Sequence, residues 1–360
     1  MYSVVVAFGV ASVMLCLGMV IRAKVPFFRH MLMPTSVIGG IVGLILMNTL
    51  FSKIDLGGMS TTDFSSIVDV FFVMSFISIG LTGGKKKKKQ EAKGPKEKKK
   101  SGAVRGAMGM ALIWCILYAV QPLIGILVTS LAGKAVDMDP MYGILVPFAF
   151  CQGPGQASTY GKLFENTYGY ANAEMVALTY AVIGFIVAFG IGVPVARYGL
   201  KKGIARNNSK INSSVERGYF TPEEQREPLG KSTFHSGNIE TFAAHFAIMG
   251  VTYLLALGLA AVIRLIPGIG PTFAAMLFMW GMFAAYIVKW IMEKLHISYL
   301  INNAFQSRIT GFFSDYLVVS SFMAIQVGII GKWILPIIIA GIIIAFVTFF
   351  VSLSFGQRLG

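Results

Sequence analysis

The chain has 360 residues, 55% of them hydrophobic and 13% charged, with a mean hydropathy of +0.70. Soluble domains carry about a quarter charged residues, so this composition excludes a water-soluble enzyme or binding module and requires an integral membrane protein. The formal net charge of +15 is unevenly placed, because the stretch from Lys85 to Arg105 holds ten Lys, one Arg and two Glu.

The first expected span covers 2–21. Arg22, Lys24, Arg29 and His30 follow it. A signal peptide has its basic residues in front, not behind, so this is a first transmembrane helix, with its basic end cytoplasmic and the N-terminus outside. Pro34 opens a second span to about residue 50, at a helix start where a missing N–H is harmless. Gly39-x-x-x-Gly43 in that span permits close helix packing; small lipid-facing residues fit it equally well. A third span covers 67–82.

The lysines between Lys85 and Lys100 then read as a cytoplasmic loop that fixes topology and attracts anionic lipid headgroups. No aromatic residue interleaves them, which argues against nucleic acid as a partner. A fourth span covers 104–131. Cys16, Cys115 and Cys151 all lie in apolar stretches without metal-ligand spacing, as small membrane-buried residues do.

The segment 141–161 decides the topology. If it crossed the membrane, the long helix 175–198 would end outside at Arg197, Lys201, Lys202, Arg206 and Lys210, against the charge rule. If it enters from outside and returns, every basic cluster is cytoplasmic. Its centre, C-Q-G-P-G-Q-A-S-T from Cys151 to Thr159, carries the backbone breakers Gly153, Pro154 and Gly155. Broken backbone at membrane depth is tolerated only inside protein or against a wet cavity, so this is the expected tip of a re-entrant loop. Its polar return, with Glu165 and Glu174, is expected at the external surface. In the fifth span Thr179 bonds back to its own helix or faces a ligand.

A polar stretch, 201–237, divides the chain into a first unit, 1–200, and a second, 238–360. The second unit is expected to contain spans at 239–265, 272–292, 312–330 and 333–353, and an amphipathic interfacial helix over 297–305. His245, near the start of the first of these, is interfacial or functional.

The two units share a pattern. D-V-F-F-V-M-S-F-I-S-I from Asp69 matches D-Y-L-V-V-S-S-F-M-A-I from Asp315 at five of eleven positions, and Pro34-Thr35 pairs with Pro271-Thr272. Units with an odd number of spans must lie in opposite orientations, and inverted repeats with broken helices mark secondary transporters. The expected fold is therefore all-α: a polytopic membrane protein, an inverted repeat of five-helix units, with the second repeat lacking its own loop and last helix.

These residues resemble the bacterial sodium/glutamate symporter family, most closely in G-K-L-F-E-N-T-Y-G-Y-A-N-A-E-M-V-A and G-V-P-V-A-R-Y-G-L-K between Met141 and Lys202, and also in P-T-S-V-I-G-G and F-I-S-I-G-L. At the tip, Gln152, Pro154 and Gln156 depart from the S-G-G-H-G-T-G usual in the family. The resemblance implies ten helices, two opposed pore loops, a homodimer in the bacterial plasma membrane, and sodium-coupled uptake of L-glutamate or a related carboxylate where the loop tips meet. Gly153 and Gly155 would offer backbone groups to Na⁺ and to a carboxylate. Gln152, Gln156, Ser158 and Thr159 would add side-chain bonds, with Pro154 shaping the tip and Ser75, Ser78 and Thr179 as further candidates. The alternative is a truncated, transport-inactive relative with a structural or binding role. A membrane enzyme is not expected, since no Ser/His or paired-carboxylate set falls within the spans, and no cofactor is called for beyond Na⁺ as coupling ion.

Overall fold

A computed structural model describes residues 2–82, 97–203, 212–224, 226 and 228–359. The lipid contact expected between Lys85 and Lys100 falls largely outside these residues. Every regular element among them is helical, and six helical spans are long and apolar enough to cross a membrane. The chain is thus a multi-pass, all-helical membrane protein.

Helix α1 covers Ser3–Lys24, α2 Pro26–His30, α3 Thr35–Thr49 and α4 Thr61–Leu81. Helix α4 begins six residues earlier than hydropathy suggests. Ser60 and Asp63 form a capping box there, with Asp63 Oδ2 taking the Ser60 N–H at 2.8 Å, which satisfies the first-turn donors and fixes the start. Helix α5 covers Glu97–Ala132, α6 Val146–Phe150, α7 Pro154–Tyr168 and α8 Ala173–Val187; a π-helical turn joins α8 to α9, Val193–Lys201.

A short α10, Ser213–Arg217, lies in the polar stretch 201–237. Arg197 pairs with Glu216 at 2.8 Å, and Arg22 donates to the Val215 carbonyl at 3.1 Å. The basic ends of α1 and α9 therefore meet at one end of the molecule. At the other end the Ser3 hydroxyl donates to Asp63 at 2.9 Å.

After α10, α11 covers Thr241–Arg264, α12 Gly270–Ala275, α13 Leu277–Lys294, α14 Asn303–Met323, α15 Val327–Ile330 and α16 Ile334–Leu359. Two expectations change here. The interfacial helix over 297–305 is instead a 3₁₀ turn at Ser298–Leu300 followed by the start of α14. Asn302 sets the boundary, because its side chain accepts from the N–H groups of Ala304 and Phe305. Gln306, just after this stretch, is buried and bonds to Ser78. The span expected at 312–330 is α14, which starts at Asn303 and stops at Met323, before the separate α15.

Helices α4 and α14 pack against each other at the centre and run antiparallel. Thr61 meets Gln326 at one end, the Phe71 and Phe313 rings lie 5.0 Å apart in the middle, and Ser78 meets Thr310 at 2.7 Å toward the other end. Helix α13 flanks α4, while α1 and α3 pair beside α14. Helices α5 and α8 pack against α6, α8 and α4 pack against α7, and α16 lies against α5 and α8.

Glycine makes the α1–α3 contact possible. A Cβ on Gly39 would fall on the Met14 carbonyl, and one on Gly43 would overlap the Met323 side chain. The Gly39-x-x-x-Gly43 spacing therefore serves packing. Gly39→Val should destabilise the purified protein by about 1–3 kcal/mol through overpacking, read as a lower melting temperature in detergent. Gly250→Ala, where no atom lies within 4 Å of the new Cβ, is the control; equal melting of both variants would refute the contact.

Candidate functional site

The site is built around a helical hairpin. Asp139 accepts from the Met141 N–H at 2.8 Å and starts a 3₁₀ helix at Pro140–Leu145, which leads into α6. The chain reverses at Cys151, Gln152 and Gly153. Gly153 sits at φ +84°, a left-handed conformation open to glycine. Pro154 then occupies the first position of α7. The return meets the entry: the Tyr142 hydroxyl donates to the Ala171 carbonyl at 2.7 Å, and the Phe148 and Tyr160 rings stack at 3.7 Å. The polar return expected at the external surface is thus the second half of α7, a turn, and the start of α8.

Gly155 is buried against the Phe72 ring of α4, in space a Cβ would need. The tip also touches α5: Trp114 Nε1 donates to the Cys151 carbonyl at 3.4 Å, and Cys151 Sγ to Gln121 at 3.3 Å. The Gly153 carbonyl accepts from Ala157 N–H and the Gly155 carbonyl from the Thr159 hydroxyl. The side-chain Oε1 atoms of Gln152 and Gln156 are buried without a protein partner.

One turn beyond the tip lies a charged network. Ser158 and Lys162 share a face of α7, Ser65 and Asp69 share a face of α4, and Glu174 opens α8. Lys162 Nζ pairs with Asp69 Oδ2 and lies 3.5 Å from Glu174 Oε1. The Ser158 hydroxyl is 2.6 Å from Glu174 Oε1 and 3.2 Å from Asp69 Oδ1, and Ser65 donates to Glu174 Oε1 at 2.7 Å. Glu165 accepts the Glu174 backbone N–H at 3.0 Å. Glu174 is therefore not a surface residue: its side chain is only 13% exposed, because hydroxyls and an ammonium satisfy it. The paired-carboxylate set that sequence spacing did not reveal is this one.

The network borders a cavity of about 560 Å³, within the usual size range for small-molecule sites. Asp69, Val73, Thr159, Lys162 and Leu163 line one side, and Tyr253, Ala275, Leu277 and Phe278 the other. Asn166, Thr167 and Arg264 stand exposed at its rim. Lys162 and Arg264 are cationic and Asp69 anionic, so the lining carries two positive charges against one negative.

Of the residues expected from sequence, Thr159 lines the cavity and Ser158 sits in the network behind it. Gln152, Gly153, Pro154, Gly155 and Gln156 form the neighbouring tip. Ser75 bonds to its own Phe72 carbonyl at 2.7 Å, Thr179 to Met175 at 2.7 Å, and Ser78 joins α4 to α14 through Gln306 and Thr310. None of these three is among the cavity-lining residues.

His245 is also held structurally. Its Nδ1 lies 2.7 Å from the Thr241 carbonyl, and its Nε2 accepts the Asn302 N–H at 3.0 Å. An amide can only donate, so the ring is neutral with its proton on Nδ1.

The family model described as "Sodium/glutamate symporter" matches residues 2–357. The chain is 28% identical to the sodium/glutamate symporters of Escherichia coli (strain K12) and Shigella flexneri over 60% of its length and 49% of theirs. It is 24% identical to that of Haemophilus influenzae over 65% of its length and 53% of the relative's. The match thus spans about half the length of these curated relatives. No solved structure matches.

With Cys16, Cys115 and Cys151 replaced by Ser, Thr159→Cys and Asn166→Cys should react with a membrane-impermeant maleimide supplied on the Arg264 side. Ser158→Cys, at a fully buried position, should not. Mass spectrometry reads the adducts, and equal labelling of 158 and 159 would contradict the cavity wall drawn above.

Proposed function

The chain belongs to the sodium/glutamate symporter family, and from that premise we propose that it carries L-glutamate, or a closely related amino-acid carboxylate, across the bacterial plasma membrane, coupled to sodium entry. The observation that carries this is the charge of the cavity wall. Glutamate presents two carboxylates and one ammonium; Lys162, Arg264 and Asp69 present two cations and one carboxylate. Arg264 at the rim meets an incoming anion first, and Lys162 waits deeper. Family membership places the protein among transporters rather than enzymes and lends no support to a transport-inactive role.

For sodium, the unpartnered Oε1 atoms of Gln152 and Gln156 are neutral oxygen donors of the kind a hard cation takes. The carbonyls of Gly153 and Gly155 each keep a second lone pair for the same purpose.

The orientation proposed is N-terminus outside and basic loops cytoplasmic. It is supported by the meeting of Arg22 and Arg197 with α10 at one end. On this orientation the cavity rim faces outward, and the hairpin is re-entrant from the external side. The antiparallel α4 and α14, which carry the two Asp motifs, support an inverted repeat. A homodimer and anionic-lipid contact at the lysines between Lys85 and Lys100 belong to the same proposal.

The full-length protein in proteoliposomes should accumulate labelled L-glutamate under an inward sodium gradient and not under an equal potassium gradient. Uptake indifferent to sodium would overturn the coupling. Gln152→Ala and Gln156→Ala should each raise the sodium concentration for half-maximal uptake by about tenfold, a cost of about 1.4 kcal/mol per site. An unchanged sodium dependence in both would remove the tip from the ion site.

A further inference from the structure

The cavity holds an internal competitor for its own substrate. Asp69 is the only carboxylate among the described lining residues, and its side chain is 41% exposed. It already carries an ammonium, that of Lys162, which lines the same cavity. The Ser158 hydroxyl lies 3.2 Å from its other oxygen. Lys162 has a second carboxylate within reach, Glu174 at 3.5 Å. Glu174 does not line the cavity and is held from behind by Ser65 and Ser158.

We propose that substrate binds by exchanging ammonium groups on Asp69, which makes Asp69 the residue that demands an amine in the substrate. The inference rests on the cavity being the glutamate site. As the α-ammonium of the substrate takes Asp69, the Lys162 ammonium leaves it. Lys162 stays tethered near Glu174 by its flexible stem and turns to a substrate carboxylate. Each charge lost from one pair is recovered in another, so an amino dicarboxylate enters without stranding a charge. A dicarboxylate that lacks the amine draws Lys162 away and leaves Asp69 unpaired in the wall. Leaving a partly buried charge unpaired is the strongest discrimination a site has against an analogue missing one polar group.

The test compares glutamate with glutarate, the same molecule without its amine, as competitors of labelled glutamate binding to the purified full-length protein. Wild type should prefer glutamate by at least about a hundredfold. Asp69→Asn removes the stranded charge, and should weaken glutamate and tighten glutarate, shrinking the preference by at least about tenfold. Asp69→Glu should keep it. Lys162→Gln moves the preference the other way, because glutarate loses its cation and faces a bare carboxylate. Its result stands by itself should Asp69→Asn fail to fold, which the melting curve reports. A preference that stays put, or moves in the same direction in both variants, overturns the exchange. Wild-type protein that binds no glutamate overturns the parent reading instead, and the two failures are told apart by that control.

Discussion

One ammonium positions three elements. Lys162 of α7 lies between Asp69 of α4 and Glu174 of α8 and compensates both carboxylates. Charge within a membrane protein is expensive unless it is paired and hydrogen-bonded. The hairpin therefore cannot slide along α4 or α8 without stranding at least one charge. The hydroxyls of Ser65 and Ser158 complete the network, so the cluster acts as a peg that fixes the depth of the tip above it.

Close backbone approach makes the peg possible. Gly161, next to Lys162, lies against the first turn of α8, where a Cβ would strike the Glu174 backbone. Gly155 lets the tip lie flat on Phe72. Gly153 supplies the left-handed turn that sends the chain back. These glycines do different jobs within nine residues, one giving the reversal and two the contact, and the ion pairs exist only because all three are met.

Much of this architecture is legible in the chain. The apolar runs mark the six helical spans long enough to cross a membrane, and the distribution of Arg and Lys points to a returning segment at 141–161. The Gly-Pro-Gly break marks its turn. What escapes is the network, and the reason lies at helix ends. Placing the start of the third span at residue 67 leaves Ser65 outside a helix that in fact begins at Thr61. Treating the return after Gly161 as surface chain hides that Pro154 starts a helix, which puts Ser158, Lys162 and Glu165 on one face. The 297–305 periodicity misleads for a similar reason: Asn302 caps a helix in the middle of it. Hydropathy averages over a window and has no access to a cap, which is a local hydrogen bond. Ion-pair partners separated by 93 residues, as Lys162 and Asp69 are, leave no local signal.

The matched motifs from Asp69 and Asp315 show how far one pattern can diverge in use. On antiparallel helices joined by Thr61 with Gln326 and Ser78 with Gln306, the two acids fall at the same level along the shared axis. Their partners differ. Asp69 meets Lys162 and faces a cavity. Asp315 accepts a hydroxyl from Ser36 in the first turn of α3, at 3.0 Å, where the unsatisfied N–H groups of a helix start favour a carboxylate. Pro34 caps α3 directly, whereas Pro271 lies in the six-residue α12 ahead of α13, and Ser36 in the first stretch corresponds to Phe273 in the second. With a hydroxyl beside it, an aspartate is settled by the fold itself. Asp69 is instead paired with the Lys162 ammonium, which comes from the hairpin. One sequence pattern thus ends in two settings, an aspartate bonded to a hydroxyl at a helix start and an aspartate paired with an ammonium at a cavity wall.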